Sequence, residues 1–310
     1  MAEGVENLNV RMLRVLVTNR ATIANFPEIR DGLGQRHKKH ILEAIKGNRE
    51  HTKWLSGKAN LPLKFLQELL ISKKLSMDFL RESRFSVKGA GPCKVRLPLE
   101  VNEDLAYFLG ILAGDGHISN PKPHQARWWI IQMCEDALEF QSLVYIPLVE
   151  RLFCYTPKIH VNKRTDGRRN VYTRINSFVI ILYLTNVLGI RSGYKTDIVD
   201  MPVCILHSEE KIRLAFVRGL FDTDGTVTEG TARYSTVSEK LFYQVQTVLR
   251  SSGIEFRTNV WKKNEIAKQL YTIVIPKRQL GNFSKIVGFK NCRKKIKLEH
   301  LLAPSSSGQG

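Results

Sequence analysis

Two stretches of this sequence decide its fold: LGILAGDGHI at residues 109–118 and RGLFDTDGTV at residues 218–227. Aligned on their Asp-Gly pairs, they place Asp115 opposite Asp224 at an offset of 109 residues. Gly110 and Gly116 match Gly219 and Gly225 at the same offset. Matching at a uniform spacing indicates an internal duplication, the most informative feature of the chain.

The segments around the two stretches repeat in the same order. Apolar periodicity predicts a helix that ends at each stretch, a strand pair, an amphipathic helix, a second strand pair and a closing helix. The unit is therefore αββαββα, in residues 104–200 and again in residues 201–303. We expect an α+β fold in which the two units are related by pseudo-two-fold symmetry.

The N-terminal part has a different pattern. Its short candidate helices are separated by glycine-containing breaks and run near residues 35–46, 49–55, 63–71 and 77–82. In a basic setting this pattern is typical of a helix-turn-helix module that binds DNA, and equally of a plain helical bundle. We expect a small helical domain in residues 1–88, a linker in residues 89–103 and a flexible tail in residues 304–310.

The charge of the chain points to a polyanionic partner. Its 310 residues include 48 Lys+Arg against 29 Asp+Glu, a net charge of +19, and both the N-terminal part and the duplicated part are basic. Nucleic acid is the first candidate and an anionic membrane surface the second. No apolar run approaches the ~20 residues that span a bilayer. The first residues lack a secretory signal, so we expect a cytoplasmic, nucleoid-associated or organellar protein that is not secreted.

Small residues in both stretches predict close packing of two helices. Gly110 and Gly114 lie four residues apart on one helix face, and the second stretch repeats this arrangement with Gly219 and Thr223. Small residues at this spacing let two helix backbones approach closely. The natural partner of each helix is the other one, and side-by-side packing would bring the aspartates at their C-terminal ends together.

Such a pair of aspartates is costly unless something compensates it. A carboxylate in the last turn of a helix opposes the helix dipole, and Asp115 and Asp224 would repel each other, at a cost on the order of a few kcal/mol. Hard Mg²⁺ ions take oxygen ligands from carboxylates and phosphates, so the pattern predicts a two-metal phosphodiester site. The alternative is two Asp-Gly helix stops in which the aspartates are incidental.

The two stretches resemble the signature helices of the LAGLIDADG homing endonucleases, in the monomeric form with two motifs. The second is close to the nine-letter motif, whereas the first has Ala113 and Gly114 where the motif has Asp and Ala. The resemblance covers about residues 104–301. It implies a saddle of two antiparallel sheets over duplex DNA with a long asymmetric target site. It also implies Mg²⁺-dependent hydrolysis of one phosphodiester on each strand, and intron homing.

The resemblance also implies roles for single residues. Asp115 and Asp224 would be the catalytic acids that bind the metal ions, and the backbone carbonyls of Gly114 and Thr223 would help to hold the ions. The family places a basic residue near each half of the site.

Lys195 and Lys294 match this basic residue best. They would stabilise charge on the phosphate or position the attacking water. Lys295 is adjacent to Lys294 and leaves the assignment in the second repeat open.

Alternation along the predicted strands supplies a surface for DNA. Tyr172 and Arg174 share one face of a strand, and Arg257 and Asn259 share one face of another. We expect such polar faces to enter the major groove, where Arg reads guanine and Asn reads adenine, while the opposite faces pack on helices. Basic loops would contact phosphates. The residues predicted to contact DNA are Arg127, Trp129, Arg164, Arg168, Arg169, Tyr172, Arg174, Arg233, Arg257, Asn259, Lys262 and Lys263.

Three functions remain open at the level of sequence. The first is a site-specific double-strand DNA endonuclease. The second is a binding module that does not cut, such as an intron RNA maturase or a DNA-binding regulator; retention of Asp115 and Asp224 disfavours it. The third is the endonuclease domain of an intein. The chain opens with Met1-Ala2 and closes without His-Asn before a nucleophile, so we do not expect splicing.

Overall fold

The computed structural model describes most of the chain. The residues it describes are 8–87, 94–119, 131–134, 138–163, 169–193, 197–228, 230–262 and 268–303. Within these ranges no helix is both long and apolar enough to cross a membrane.

The N-terminal region combines short helices with a small sheet. Its helices are α1 (Leu8–Thr18), α2 (Phe26–Gly32), α3 (Gln35–Ile45), α4 (His51–Leu55), α5 (Gln67–Ile71) and α6 (Asp78–Glu82). Its strands β1 (Ala21–Ile23), β2 (Leu61–Pro62) and β3 (Phe85–Val87) form an antiparallel sheet in the order β2-β1-β3. The region predicted to be helical therefore also contains a small sheet that the sequence did not indicate. Strands of two or three residues are too short to show the alternation by which strands are recognised.

The first repeat contains one four-stranded antiparallel sheet with helices beside it. The elements are α7 (Glu103–Ala113), β4 (Gly116–Ile118), β5 (Ile131–Cys134), α8 (Leu138–Phe140), α9 (Ile146–Phe153), β6 (Lys158–Lys163), β7 (Arg169–Ile175) and α10 (Phe178–Leu182). A π-helical segment, Gln141–Tyr145, joins α8 to α9, and another, Tyr183–Val187, extends α10. The strands lie in the order β4-β5-β7-β6.

The second repeat has the same topology. Its elements are α11 (Val203–Leu206), α12 (Glu210–Thr223), β8 (Gly225–Thr228), β9 (Thr231–Thr236), α13 (Glu239–Ser251), β10 (Arg257–Trp261), β11 (Leu270–Pro276), α14 (Leu280–Ile286) and α15 (Cys292–Leu302). The strand order β8-β9-β11-β10 equals that of the first repeat. The predicted α+β fold with a duplicated antiparallel sheet is confirmed. Helix α15 follows the αββαββα unit and was not predicted.

Helices α7 and α15, which contribute to the site, both begin with an asparagine N-cap. Asn102 accepts a hydrogen bond from the backbone N–H of Leu105 at 2.9 Å, and two acidic residues follow it in the first turn of α7. Asn291 caps α15 in the same way, through the N–H of Lys294 at 3.4 Å. Such caps satisfy N–H groups that have no partner within the helix.

The two motif helices, α7 and α12, pack at their glycines. A Cβ atom added to Gly110 would lie 2.1 Å from the backbone oxygen of Phe216 and 3.1 Å from the Cα of Gly219. A Cβ atom on Gly219 would lie 2.5 Å from the backbone oxygen of Tyr107. Only residues without a side chain allow this approach. The predicted backbone-to-backbone contact between the motif helices is confirmed.

The N-terminal region shares one apolar core with the repeats. Side chains from α1, β1 and β3 join the same buried cluster as those of α7 and α12. Outside the core, the Arg11 guanidinium donates a hydrogen bond from Nε to the backbone oxygen of Asn186 at 2.9 Å. The region is therefore docked on the first repeat.

Candidate functional site

The C-terminal ends of the motif helices meet, as the duplication predicts. A Cβ atom on Gly114 would lie 2.1 Å from the hydroxyl oxygen of Thr223 and 3.1 Å from Oδ2 of Asp224. The carboxylate of the second repeat thus lies against the backbone of the residue that precedes Asp115. Asp224 is exposed and Asp115 half-buried, so a ligand could reach both from solvent.

A cavity of about 460 Å³ opens at this meeting point. Gly114 and His117 line it from the first repeat, and Asp224 and Tyr234 from the second. Tyr234 is buried, and its hydroxyl oxygen has no hydrogen-bond partner in the part of the chain that the structure describes. Burial, above all, and the nearby Asp224 carboxylate raise the pKa of Tyr234 well above its ordinary value. The phenol is therefore a hydrogen-bond donor at neutral pH.

A second acid of the α12 motif, Asp222, is fully buried and serves the structure. Its carboxylate accepts hydrogen bonds from the Tyr107 hydroxyl at 2.6 Å and from the backbone N–H groups of Lys290 and Asn291 at 3.0 Å. Burial raises the pKa of Asp222, and these hydrogen bonds oppose the rise. Asp222 thus ties α7 and the loop before α15 to the end of α12. Sequence reasoning missed this role, although an acid within an apolar motif was a signal.

Lys294 reaches the same helix end from α15. Its ammonium Nζ donates to the backbone oxygens of Asp222 and Thr223, both at 2.7 Å, and of Phe221 at 3.2 Å. The last carbonyls of a helix lack regular helical partners, and a cation at a helix C-terminus is favourable. Lys295 instead pairs with Glu299 at 3.9 Å on the exposed side of α15. Of the two lysines, Lys294 lies at the site; its catalytic role stays a prediction.

The residues at the meeting point of the two motif helices have polar groups that are suited to a divalent cation. Among the residues described, no cluster of three or more His, Cys, Asp and Glu side chains could hold a metal ion by itself. Asp224, beside the open backbone at Gly114, offers carboxylate oxygen, and the unpartnered Tyr234 hydroxyl is a polar group that a hydrated ion could satisfy. Mg²⁺ commonly takes one or two carboxylates and completes its shell with water and phosphate. The Thr223 carbonyl already bonds an ammonium, which disfavours it as a cation ligand.

The outer face of the first sheet gathers polar side chains around Tyr172. The Tyr172 hydroxyl accepts hydrogen bonds from Arg174 at 3.1 Å and Asn162 at 3.3 Å, and its ring stacks on His160. Val171, Thr173 and Ile175 of β7 are buried on the opposite face. Tyr172 and Arg174 therefore share an accessible face, as predicted. Lys158 lies in the same row as Arg174 across β6 and β7. Sequence reasoning missed Lys158, His160 and Asn162.

The outer face of the second sheet presents two of the predicted arginines in one row. Val274 of β11 pairs with Arg257 of β10 on one side and with Arg233 of β9 on the other. Asn259 follows two residues further along β10, and Lys262 is exposed just after the strand. The expectation that the opposite face of this strand packs on helices is wrong. All five residues of β10, an edge strand of the sheet, are exposed.

Several predicted site residues cannot be placed. Lys195, the candidate for the first half of the site, lies outside the described residues, as do Arg127, Trp129, Arg164, Arg168 and Lys263. For Arg169 the structure describes the backbone, which begins β7. The roles given to these residues stay predictions.

Comparison with known families now decides the class of the second repeat. Residues 211–288 match the family model for a LAGLIDADG-like domain, and this segment runs from the motif helix α12 through α14. The chain contains a LAGLIDADG-like domain. The family expected from the paired motif is thereby confirmed.

Relatives of this LAGLIDADG chain are distant. It is 30% identical over 206 residues to the replication factor C small subunit of Methanocaldococcus jannaschii, a match that covers 66% of this chain and 10% of the relative. It is 24% identical over 177 residues to the uncharacterized protein MJ0314 of the same organism, which covers 54% of this chain and 62% of that protein. The chain thus spans about a tenth of the length of the first relative and less than two thirds of the length of the second.

Among solved structures, the chain is similar to I-DmoI in complex with DNA and Ca. The TM-score is 0.47 at 18% sequence identity, and the alignment covers 65% of this chain and 99% of I-DmoI.

Proposed function

We propose that this LAGLIDADG protein is a site-specific endonuclease that cuts both strands of duplex DNA. The observation that carries the proposal is the meeting of the two motif ends, where the Asp224 carboxylate lies against Gly114, next to Asp115. One carboxylate at each of two adjoining helix C-termini is suited to hold divalent cations between protein and phosphate. The family model over residues 211–288 supports the same class.

The charge and shape of the surface support duplex DNA as the substrate. Each repeat presents one polar sheet face, and the net charge of +19 supplies a sequence-independent attraction to phosphate. The face of the first sheet presents Tyr172 and Arg174, whereas the face of the second presents Arg233 and Arg257. Because the two faces would contact different bases, the target would be long and asymmetric. One chain carries both motifs, and a monomer would suffice to cut both strands.

In the proposed mechanism the protein places acids and donors around the phosphate. Asp115 and Asp224 would hold Mg²⁺, which when bound activates water and neutralises phosphate charge. Lys294 fixes the carbonyl end of α12, so that Asp224 keeps its position. Lys195 is the proposed basic residue of the first half.

Replacement of Asp224 by Asn tests this proposal. The substrate is the DNA locus of the coding region with its insertion removed, a plasmid that the wild-type protein should linearise with Mg²⁺. We expect Asp224→Asn to lower the cleavage rate at least about a hundredfold, while salt-sensitive DNA binding is retained. Asp31→Asn, on the exposed surface of the N-terminal region, is the matched control.

Two outcomes would contradict the proposal. Binding of the locus without cutting by the wild-type protein would favour the second candidate, a maturase or a regulator that uses the scaffold only to bind. Equal loss of binding and cutting in Asp224→Asn would contradict the role assigned to this acid. Retention of both acids disfavours the second candidate, because a binding protein gains nothing from a repulsive pair.

A further inference from the structure

The buried hydroxyl of Tyr234 has no partner among the residues described. The side chain is 1% exposed, and the oxygen makes no hydrogen bond within this part of the chain. The Thr236 hydroxyl approaches the phenol closely enough to oppose the rise in its pKa. The two oxygens nevertheless do not meet the distance and angle of a hydrogen bond. A buried hydroxyl without a partner costs free energy, and most buried polar groups are satisfied by protein or by an ordered ligand or water. Within the described part of the chain, the hydroxyl is therefore left to bond a group that enters the adjoining cavity.

Its position in the fold relates this hydroxyl to Asp224. Tyr234 pairs across the sheet with Gly225, the residue that follows Asp224. Its ring packs on Phe221, three residues before Asp224, with 5.6 Å between the ring centroids. Tyr234 and Asp224 line the same cavity of about 460 Å³, together with Gly114. The unpartnered donor and the carboxylate thus share one solvent-accessible space.

The first repeat has no equivalent donor at this position. Gly116 corresponds to Gly225, and its partner across the sheet is Met133. Methionine has no hydroxyl group. The feature belongs to the half of the site that contains Asp224, and it distinguishes the two halves chemically.

We propose that the Tyr234 hydroxyl donates a hydrogen bond to the hydration shell of a divalent cation held by Asp224. Tyr234 is then a positioning residue that acts through water and not through direct contact with the ion. The inference rests on the proposed function, since it assigns Asp224 to the cation. The proposal adds to the site a tyrosine, a residue type that the motif at residues 218–227 does not contain.

The test removes one oxygen atom. Tyr234→Phe keeps the ring and its packing on Phe221. Tyr183→Phe is the matched control, because Tyr183 is equally buried and its hydroxyl donates to the backbone oxygen of Pro98 at 2.8 Å. Without DNA, thermal unfolding is followed at increasing Mg²⁺ or Ca²⁺ concentrations, since an ion that binds only the folded state raises the unfolding temperature.

The expected results for the two variants differ. Tyr234→Phe should be at least as stable as the wild type without cation, yet need roughly tenfold more cation for the same rise in unfolding temperature. Tyr183→Phe should be less stable and respond to the cation as the wild type does. Unchanged cation response in Tyr234→Phe would overturn the proposal.

Cleavage of DNA labelled separately on each strand gives a second readout. Tyr234→Phe should slow the cutting of one strand about tenfold and leave the other at the wild-type rate, so that nicked DNA accumulates. A loss of DNA affinity with normal cation response would show that the hydroxyl contacts DNA instead, and would also overturn the proposal. If the wild-type protein cuts no DNA, the proposed function fails, while the cation response in the absence of DNA still decides the role of Tyr234.

Discussion

At the scale of single residues, the two repeats are not equivalent at the site. The second repeat has Asp222 where the first has Ala113, and the Asp222 carboxylate joins the end of α12 to α7 and to the loop before α15. Its carboxylate is surrounded by three donors, one hydroxyl and two backbone N–H groups. The position of Asp224, two residues later, depends on this arrangement.

Asp222→Asn should therefore destabilise the fold and impair the site. The amide group of Asn would face N–H and O–H donors, leaving at least one buried donor unsatisfied. We expect a decrease in the free energy of unfolding of about 1–3 kcal/mol, measured by urea denaturation. Asp31→Asn should change it by less than about 0.5 kcal/mol. A stability equal to the wild type would contradict the role assigned to Asp222.

Many contacts of single residues at the site could not be predicted from the neighbouring sequence. The duplication was sufficient to predict that the C-terminal ends of the two motif helices meet, because the helices are matched, and Gly114 does lie against Thr223 and Asp224. The hydrogen bonds of Asp222 and Lys294 join residues 68 to 115 positions apart, and no sequence pattern encodes them. Tyr234 escaped notice because an unpartnered hydroxyl is visible only when its neighbours are known.

At the scale of elements, the contact between α7 and α12 is made by backbone. Gly110 and Gly219 lie where any side chain would collide with the facing helix. The sequence predicted this contact from small residues at a spacing of four. It also predicted two strand pairs in each repeat, whereas β1, β2 and β3 were missed because they are too short to alternate.

Gly110→Ala should be strongly destabilising. Its Cβ atom would lie 2.1 Å from the Phe216 carbonyl oxygen, so the helices must separate. We expect the free energy of unfolding to fall by about 1–3 kcal/mol or more, by urea denaturation. Gly281→Ala is the control within α14, where the nearest atom to the new Cβ is 4.0 Å away. It should stabilise by about 0.5–1 kcal/mol. A neutral Gly110→Ala would contradict the close packing.

At the scale of the whole molecule, the N-terminal region is docked and basic. Because its core is continuous with that of the repeats, removal of residues 1–88 would expose apolar surface. Its contribution to DNA binding is better tested by surface substitutions. Helix α3 and the turn before α4 carry four exposed basic side chains: Arg36, Lys39, Lys46 and Arg49.

Replacing these four residues with Gln should weaken DNA binding and reduce its salt dependence. Each cationic side chain that no longer reaches a phosphate should lower the slope of log K against log salt by about 1. Binding is measured by fluorescence anisotropy from about 50 to 200 mM salt, concentrations at which such slopes are resolved. The control removes four exposed lysines from helices of the second repeat: Lys211, Lys240, Lys285 and Lys297. Equal effects of the two variants would mean that the N-terminal region makes no specific contact.

The hydrogen bonds from Lys294 to the end of α12 also mean that this helix is synthesised before the residue that stabilises its end. The carbonyl oxygens of α12 receive their partner from a residue 71 to 73 positions later in the chain. At synthesis rates of roughly 5–20 residues per second, the helix must wait on the order of several seconds for that lysine to be made. During translation the end of α12 beside Asp224 is therefore without this partner, and the candidate site in the second repeat is incomplete until α15 has docked.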